Sequence, residues 1–135
     1  MGNQEKAKYI PQIVLISGIL MLALGIAHSS LLYWEYTNIK TDLPDDILMK
    51  YMAWFFILGI YLKLLGIVDL MSIKGLRKHQ KMAWNYVFVS SIFKIVGTTI
   101  VLTIIKWEIG PPYLVLILGI LCFIPLTMHR KLFIN

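Results

Sequence analysis

Four stretches of the chain, residues 13–34, 52–73, 82–105 and 113–128, are almost continuously apolar. The first three hold about the 20 residues that carry a helix across roughly 30 Å of hydrocarbon at roughly 1.5 Å per residue. The fourth reaches that length only if it begins at Pro111 or Pro112, both of which suit a first helical turn, where an amide proton has no helical partner. No stretch alternates apolar and polar residues for long, and four strands could not close a barrel to satisfy their edges in lipid. The pattern predicts an all-α integral membrane four-helix bundle, a single transmembrane domain over 1–135 with spans at 13–34, 52–73, 82–105 and 111–128. Composition agrees: 59% of residues are apolar and 15% charged, against roughly 45–50% and 25% in soluble domains. A large soluble catalytic domain is excluded.

The formal charge of +6 reads as topology rather than nucleic-acid binding. Lys6, Lys8, Lys74, Arg77, Lys78, Lys81, Arg130 and Lys131 fall on one side of the spans. Lys40, Lys50 and Lys106 fall on the other, opposed by Glu35, Asp42, Asp45, Asp46 and Glu108. The positive-inside bias therefore puts both termini in the cytoplasm of a multi-pass plasma-membrane protein. Tyr33, Trp34, Tyr36, Tyr51, Trp54, Trp107 and Tyr113 gather at the outer boundary and Tyr9, Trp84 and Tyr86 at the inner one, as interfacial anchors do. Pro44 followed by two acids reads as a helix start, with residues 43–50 forming a short interfacial helix before the second span.

Polar residues inside the spans are few. Lys63 and Lys94 are each about midway along their helices, and because those helices run antiparallel they share one depth. A charge there costs roughly 2.5–3.5 kcal/mol on insertion scales. Lys63 shares a face with Gly59 and Gly66, and Lys94 with Ser91, Gly97 and Thr98, so both faces are expected to point at protein. Asp69 falls near the cytoplasmic end of its span, and no carboxylate of the chain is expected at the lysines' depth. Each lysine then either snorkels, loses its proton on burial, or pairs with a group from a neighbouring subunit or an anionic lipid. Side chains lean toward the N-terminus of their own helix, so Lys63 should reach outward and Lys94 inward. His28 is expected to make a hydrogen bond within the bundle. His79 and His129 are expected on a solvated basic surface.

No two histidines share a depth, which argues against bis-histidine haem or a histidine-rich metal site in this chain. Cys122, the only cysteine, excludes an intrachain disulfide and a CxxC pair. A phosphate-binding glycine loop, HExxH, GxSxG and paired intramembrane carboxylates are all missing from the sequence. The expectation is a chain with no catalytic residue, no metal and no cofactor of its own. Gly18 with Gly25, Ala23 with Ala27, and Gly25 with Ser29 are small-residue pairs that permit close helix approach, within the bundle or against a partner.

The four spans, the basic connection Lys74-Gly75-Leu76-Arg77-Lys78-His79 and the following Met82-Ala83-Trp84 resemble many small four-span prokaryotic membrane proteins. In size, lysine and isoleucine bias and span layout, the chain also resembles the small extra subunits found with archaeal ammonia monooxygenase. That resemblance implies a non-catalytic bundle flanking a copper enzyme whose metal ligands are on other chains. Two functions follow as expectations. One is an accessory or scaffold subunit of a larger membrane complex, contacting other membrane subunits or lipids through Lys63, Lys94, His28 and Asp69. The alternative is a small lipid-, quinone- or anion-binding or transport protein, with Lys63, Lys94, His28, Thr98, Thr99 and Thr103 lining its site.

Overall fold

The computed structural model describes residues 8–39, 44–104 and 110–134. It is all-helical, with no strand among the described residues. The helices are α1 (Ile10–Ile39), α2 (Asp45–Arg77), α3 (Lys81–Ile104), α4 (Pro111–Met128) and a single closing turn, α5 (Lys131–Ile134). Three helices are long and apolar enough to cross a membrane, and the fourth, over Pro112–Met128, is a shorter apolar helix. This is compatible with a multi-pass membrane protein. Expectations placed on Lys6, Lys40, Asp42, Lys106, Trp107 and Glu108, and on the side chains of Tyr33, Glu35, Tyr36 and Tyr51, lie outside the described residues.

Of the short interfacial helix expected over 43–50, the described residues 45–50 do not form a separate element. From Asp45 the backbone runs without interruption into the second span, because no Gly or Pro occurs between Pro44 and Gly59 to break it. Pro44 does mark the boundary, with extended backbone at φ −56° and ψ 143°. Asp45 and Asp46 lie in the first turn and Lys74 and Arg77 in the last, each complementing the helix dipole. At 33 residues, α2 is about 50 Å long, so it outreaches the hydrocarbon thickness.

The connection from α2 to α3 is tight. His79, with a positive φ of 53°, is the left-handed residue of a Schellman cap: its N–H donates to the Leu76 carbonyl at 3.0 Å, and the Gln80 N–H donates to that of Gly75 at 2.9 Å. Gly75 is needed here, since a Cβ on it would fall 2.5 Å from the Ala83 Cβ. The helices pack in a ring, α1 on α2, α2 on α3, α3 on α4 and α4 back on α1. Both described chain ends and the α2–α3 turn gather at one end of the bundle, called here the terminal end.

Glycines govern the α1–α2 seam. Gly18 faces Gly66 and Gly25 faces Gly59, one heptad apart on each helix, so the backbones touch. Ala23 and Ala27 do not share that role, because they are exposed on the opposite side of α1. At the terminal end Ile10, Val14, Leu76, Trp84, Leu126 and Phe133 form one apolar cluster. Met21, Leu62, Leu65, Val115 and Leu118 form another in the far half. Trp84 is not the interfacial anchor that the sequence suggests: it is buried, and its indole N–H donates to the Leu126 carbonyl at 3.0 Å. That carbonyl is in the last turn of α4, where helical donors run out. Tyr86 at the terminal end and Trp34 and Trp54 at the far end are exposed, as anchors require.

Polarity runs inside out. The outer surface carries Ile16, Ile57, Leu64, Ile67, Phe93 and Ile120, whereas Ser17, Asp69, Ser90, Ser91, Lys94 and Thr98 are buried. An apolar exterior with the polar side chains kept inside among apolar clusters is stable where the surroundings are hydrocarbon, and in water it would be an aggregation hazard.

Candidate functional site

Between the two apolar clusters is a closed polar cluster. Lys94 of α3 and Asp69 of α2 are both 0% exposed, and the Lys94 ammonium donates to Asp69 Oδ2. Lys94 Nζ also donates to Ser17 Oγ at 2.9 Å, and Ser17 in turn donates to the same carboxylate oxygen at 3.0 Å. Ser90 donates to the other oxygen, Asp69 Oδ1, at 2.9 Å. Three helices are thereby tied through one carboxylate. Cys122 of α4, also buried, adjoins Ser17 on the fourth side.

The expectation that no carboxylate of the chain reaches Lys94 is therefore overturned. The error lies in the assumed end of the second span. With α2 continuing to Arg77, Asp69 is two turns inside the helix rather than at its mouth. Depth counted from the turn shows the match: Asp69 is ten residues before His79 and Ser90 is eleven after it. Lys94 is one turn further from the turn than Ser90. Its four-carbon stem leans back toward the start of α3 as helical side chains do, while Asp69 leans the other way, and the two charges meet.

Lys63 receives none of this. Its stem lies against Gly25, where an added Cβ would stand 2.7 Å from Lys63 Cγ. Gly25 faces Gly59, one turn nearer the start of α2, so Lys63 leans toward the far end. The side chain is half-buried. Among the described residues the ion pairs are Asp46 with Lys50 and Asp69 with Lys94, and Lys63 belongs to neither.

The far half holds a cavity of about 370 Å³ to which all four long helices contribute. Among the described residues its walls are almost wholly apolar. The polar exceptions are His28, Tyr61 and Thr98. The His28 ring stacks on Phe55, with centroids 3.6 Å apart and planes 13° from parallel. Tyr61 donates to the Phe93 carbonyl at 2.6 Å, in a space kept open by Gly97. Of the three threonines on α3, Thr99 and Thr103 donate back to the carbonyls of Ile95 and Thr99. Thr98 is different: it is 5% exposed, lines the cavity, and makes no side-chain hydrogen bond among the described residues.

The four residues expected as contacts thus separate. Asp69 and Lys94 close on each other, His28 goes to the cavity wall, and Lys63 stays at the α1–α2 seam. Neither lysine lines the cavity. His129 Nε2 is 3.2 Å from the Tyr9 hydroxyl, joining the start of α1 to the end of α4. Among the described residues no three His, Cys, Asp or Glu side chains converge as metal ligands would. No protein-family model, curated protein or solved structure matches the chain.

Proposed function

We propose that the protein is a non-catalytic subunit of a larger membrane assembly, held to its neighbours at mid-bundle through Lys63. The supporting observation is the contrast between two lysines at one depth. Lys63 lies sixteen residues before His79 and Lys94 fifteen after it. For Lys94 the chain supplies a carboxylate and a serine hydroxyl. For Lys63 no ion pair is made among the described residues, and its stem lies against Gly25. A cation halfway along a span needs a counter-charge or a polar contact, and a neighbouring subunit's carboxylate or carbonyl would provide one. The sequence resemblance makes a copper monooxygenase or related membrane oxidoreductase the assembly to test first.

In this reading both termini and the α2–α3 turn face the cytoplasm of the cell membrane, because Lys74, Arg77, Lys78, Lys81, Arg130 and Lys131 all belong to that end. The buried Cys122 is first replaced by Ala. A cysteine introduced at Gln80 is then expected to resist an impermeant thiol reagent added to intact cells, and one at Asp45 to react; both native residues are exposed. The opposite labelling pattern would reverse the orientation.

The assembly reading is tested by Lys63→Leu. Gentle detergent extraction followed by native mass spectrometry is expected to show the wild-type chain with companions and the variant without them. The isolated bundle's melting temperature should hardly change, since Lys63 makes no ion pair among the described residues. Wild-type recovery of the same companions with Lys63→Leu would refute the reading.

A further inference from the structure

We infer that the far-half cavity is a binding site for a small, uncharged, flat ring bearing carbonyl acceptors, the chemistry of a quinone. The inference goes beyond the assembly reading and stands whether or not Lys63 holds a partner.

Size comes first. A volume of about 370 Å³ lies within the range of small-molecule sites, roughly 300–1,000 Å³. It accommodates a substituted ring and the beginning of a tail, with any longer tail left in the surrounding hydrocarbon. Charge narrows the choice. Lys94, one turn from the lining Thr98, is spent on Asp69, and among the described residues no Lys, Arg, Asp or Glu lines the walls. An anionic headgroup would meet apolar carbon and be poorly stabilised.

Shape and hydrogen bonding make the ligand class specific. The stacked His28 and Phe55 rings give one wall a flat aromatic surface, against which another ring stacks in offset or edge-on geometry. Tyr61 has already given its proton to the Phe93 carbonyl. Thr98 has not given its own. A hydroxyl on a residue 95% buried would normally donate to the carbonyl four residues back, as Thr99 and Thr103 do on the same helix. Left without that bond and facing the cavity, it is a donor waiting for an acceptor carried by a ligand. A carbonyl oxygen on an apolar ring fits, and a plain acyl chain does not.

The probe is duroquinone, tetramethyl-1,4-benzoquinone, with durene as the same ring lacking both oxygens. Binding is measured by equilibrium dialysis against the purified full chain in maltoside micelles, with empty micelles subtracted. Saturable binding of one duroquinone per chain is expected, with durene clearly weaker. Thr98→Val should weaken duroquinone binding by about five- to tenfold, the worth of one buried hydrogen bond. Thr98→Ser should restore it. Val101→Phe, which fills the cavity from α3, should abolish it, with helicity and melting temperature checked to show that the variant is folded. Duroquinone that fails to saturate, durene that binds equally well, or Val101→Phe that binds like the wild type would each overturn the assignment.

Discussion

Replacing Asp69 with Leu is expected to destabilise the bundle by about 3–5 kcal/mol, because it leaves the Lys94 ammonium buried and without its counter-charge. Asp69 is also the acceptor for Ser17 and Ser90, so the same change orphans two hydroxyls. The second half of the prediction distinguishes a paired charge from a merely crowded site. Adding Lys94→Leu to Asp69→Leu should recover most of the loss, since an apolar pair of similar volume is often as stable as the ion pair it replaces. Unfolding of single and double variants in mixed micelles, read by circular dichroism, measures both. A double variant no more stable than Asp69→Leu alone would show that the cluster matters for something other than charge balance.

The next largest effect is expected at Gly66. A Cβ there would lie 2.9 Å from the Gly18 carbonyl oxygen and 2.9 Å from the Leu22 amide nitrogen, both of them backbone. Backbone cannot swing aside as a flexible side chain can, so Gly66→Ala must push α1 and α2 apart along their whole seam. Overpacking of this kind costs about 1–3 kcal/mol. Gly110→Ala serves as the control, because its nearest neighbour would be Pro112 Cδ at an ordinary 3.7 Å. The expected result is a clear fall in melting temperature for Gly66→Ala and almost none for Gly110→Ala. Equal effects at the two positions would mean that the α1–α2 seam is looser than described.

Most of the architecture was legible in the sequence because hydrocarbon imposes a length rule that few alternatives satisfy. Residues 82–105 and 111–128 predict α3 and α4 almost to the residue. The ends of the other two helices were harder to read: α1 begins three residues before the apolar run, and α2 continues four beyond it. Hydropathy reports where lipid stops, whereas a helix continues as long as its backbone bonds are made. That difference hid the Asp69–Lys94 pair, since placing Asp69 by the apolar boundary put it too close to water. Counting outward from the turn would have found it. The lean of Lys94 was correctly anticipated from helix geometry, and so was the packing role of Gly18 and Gly25. The cavity left no such trace, because it depends on how four helices diverge, which no single helix encodes. Trp84 was misread for a similar reason: its partner is a backbone carbonyl on a helix 42 residues away.

The three-residue turn between α2 and α3 has a consequence for how the chain enters a membrane. Inserted singly, α2 would carry Asp69 and α3 would carry Lys94, each at a cost of roughly 2.5–3.5 kcal/mol. The Schellman cap at His79 is a local structure that sets the register of the two helices, so carboxylate and ammonium could face each other before either met lipid. A hairpin entering a membrane as one unit would carry those two charges already cancelled. Lengthening that connection would leave the finished pair intact yet expose both groups during such an insertion, so the brevity of the turn would matter to the path into a membrane more than to final stability.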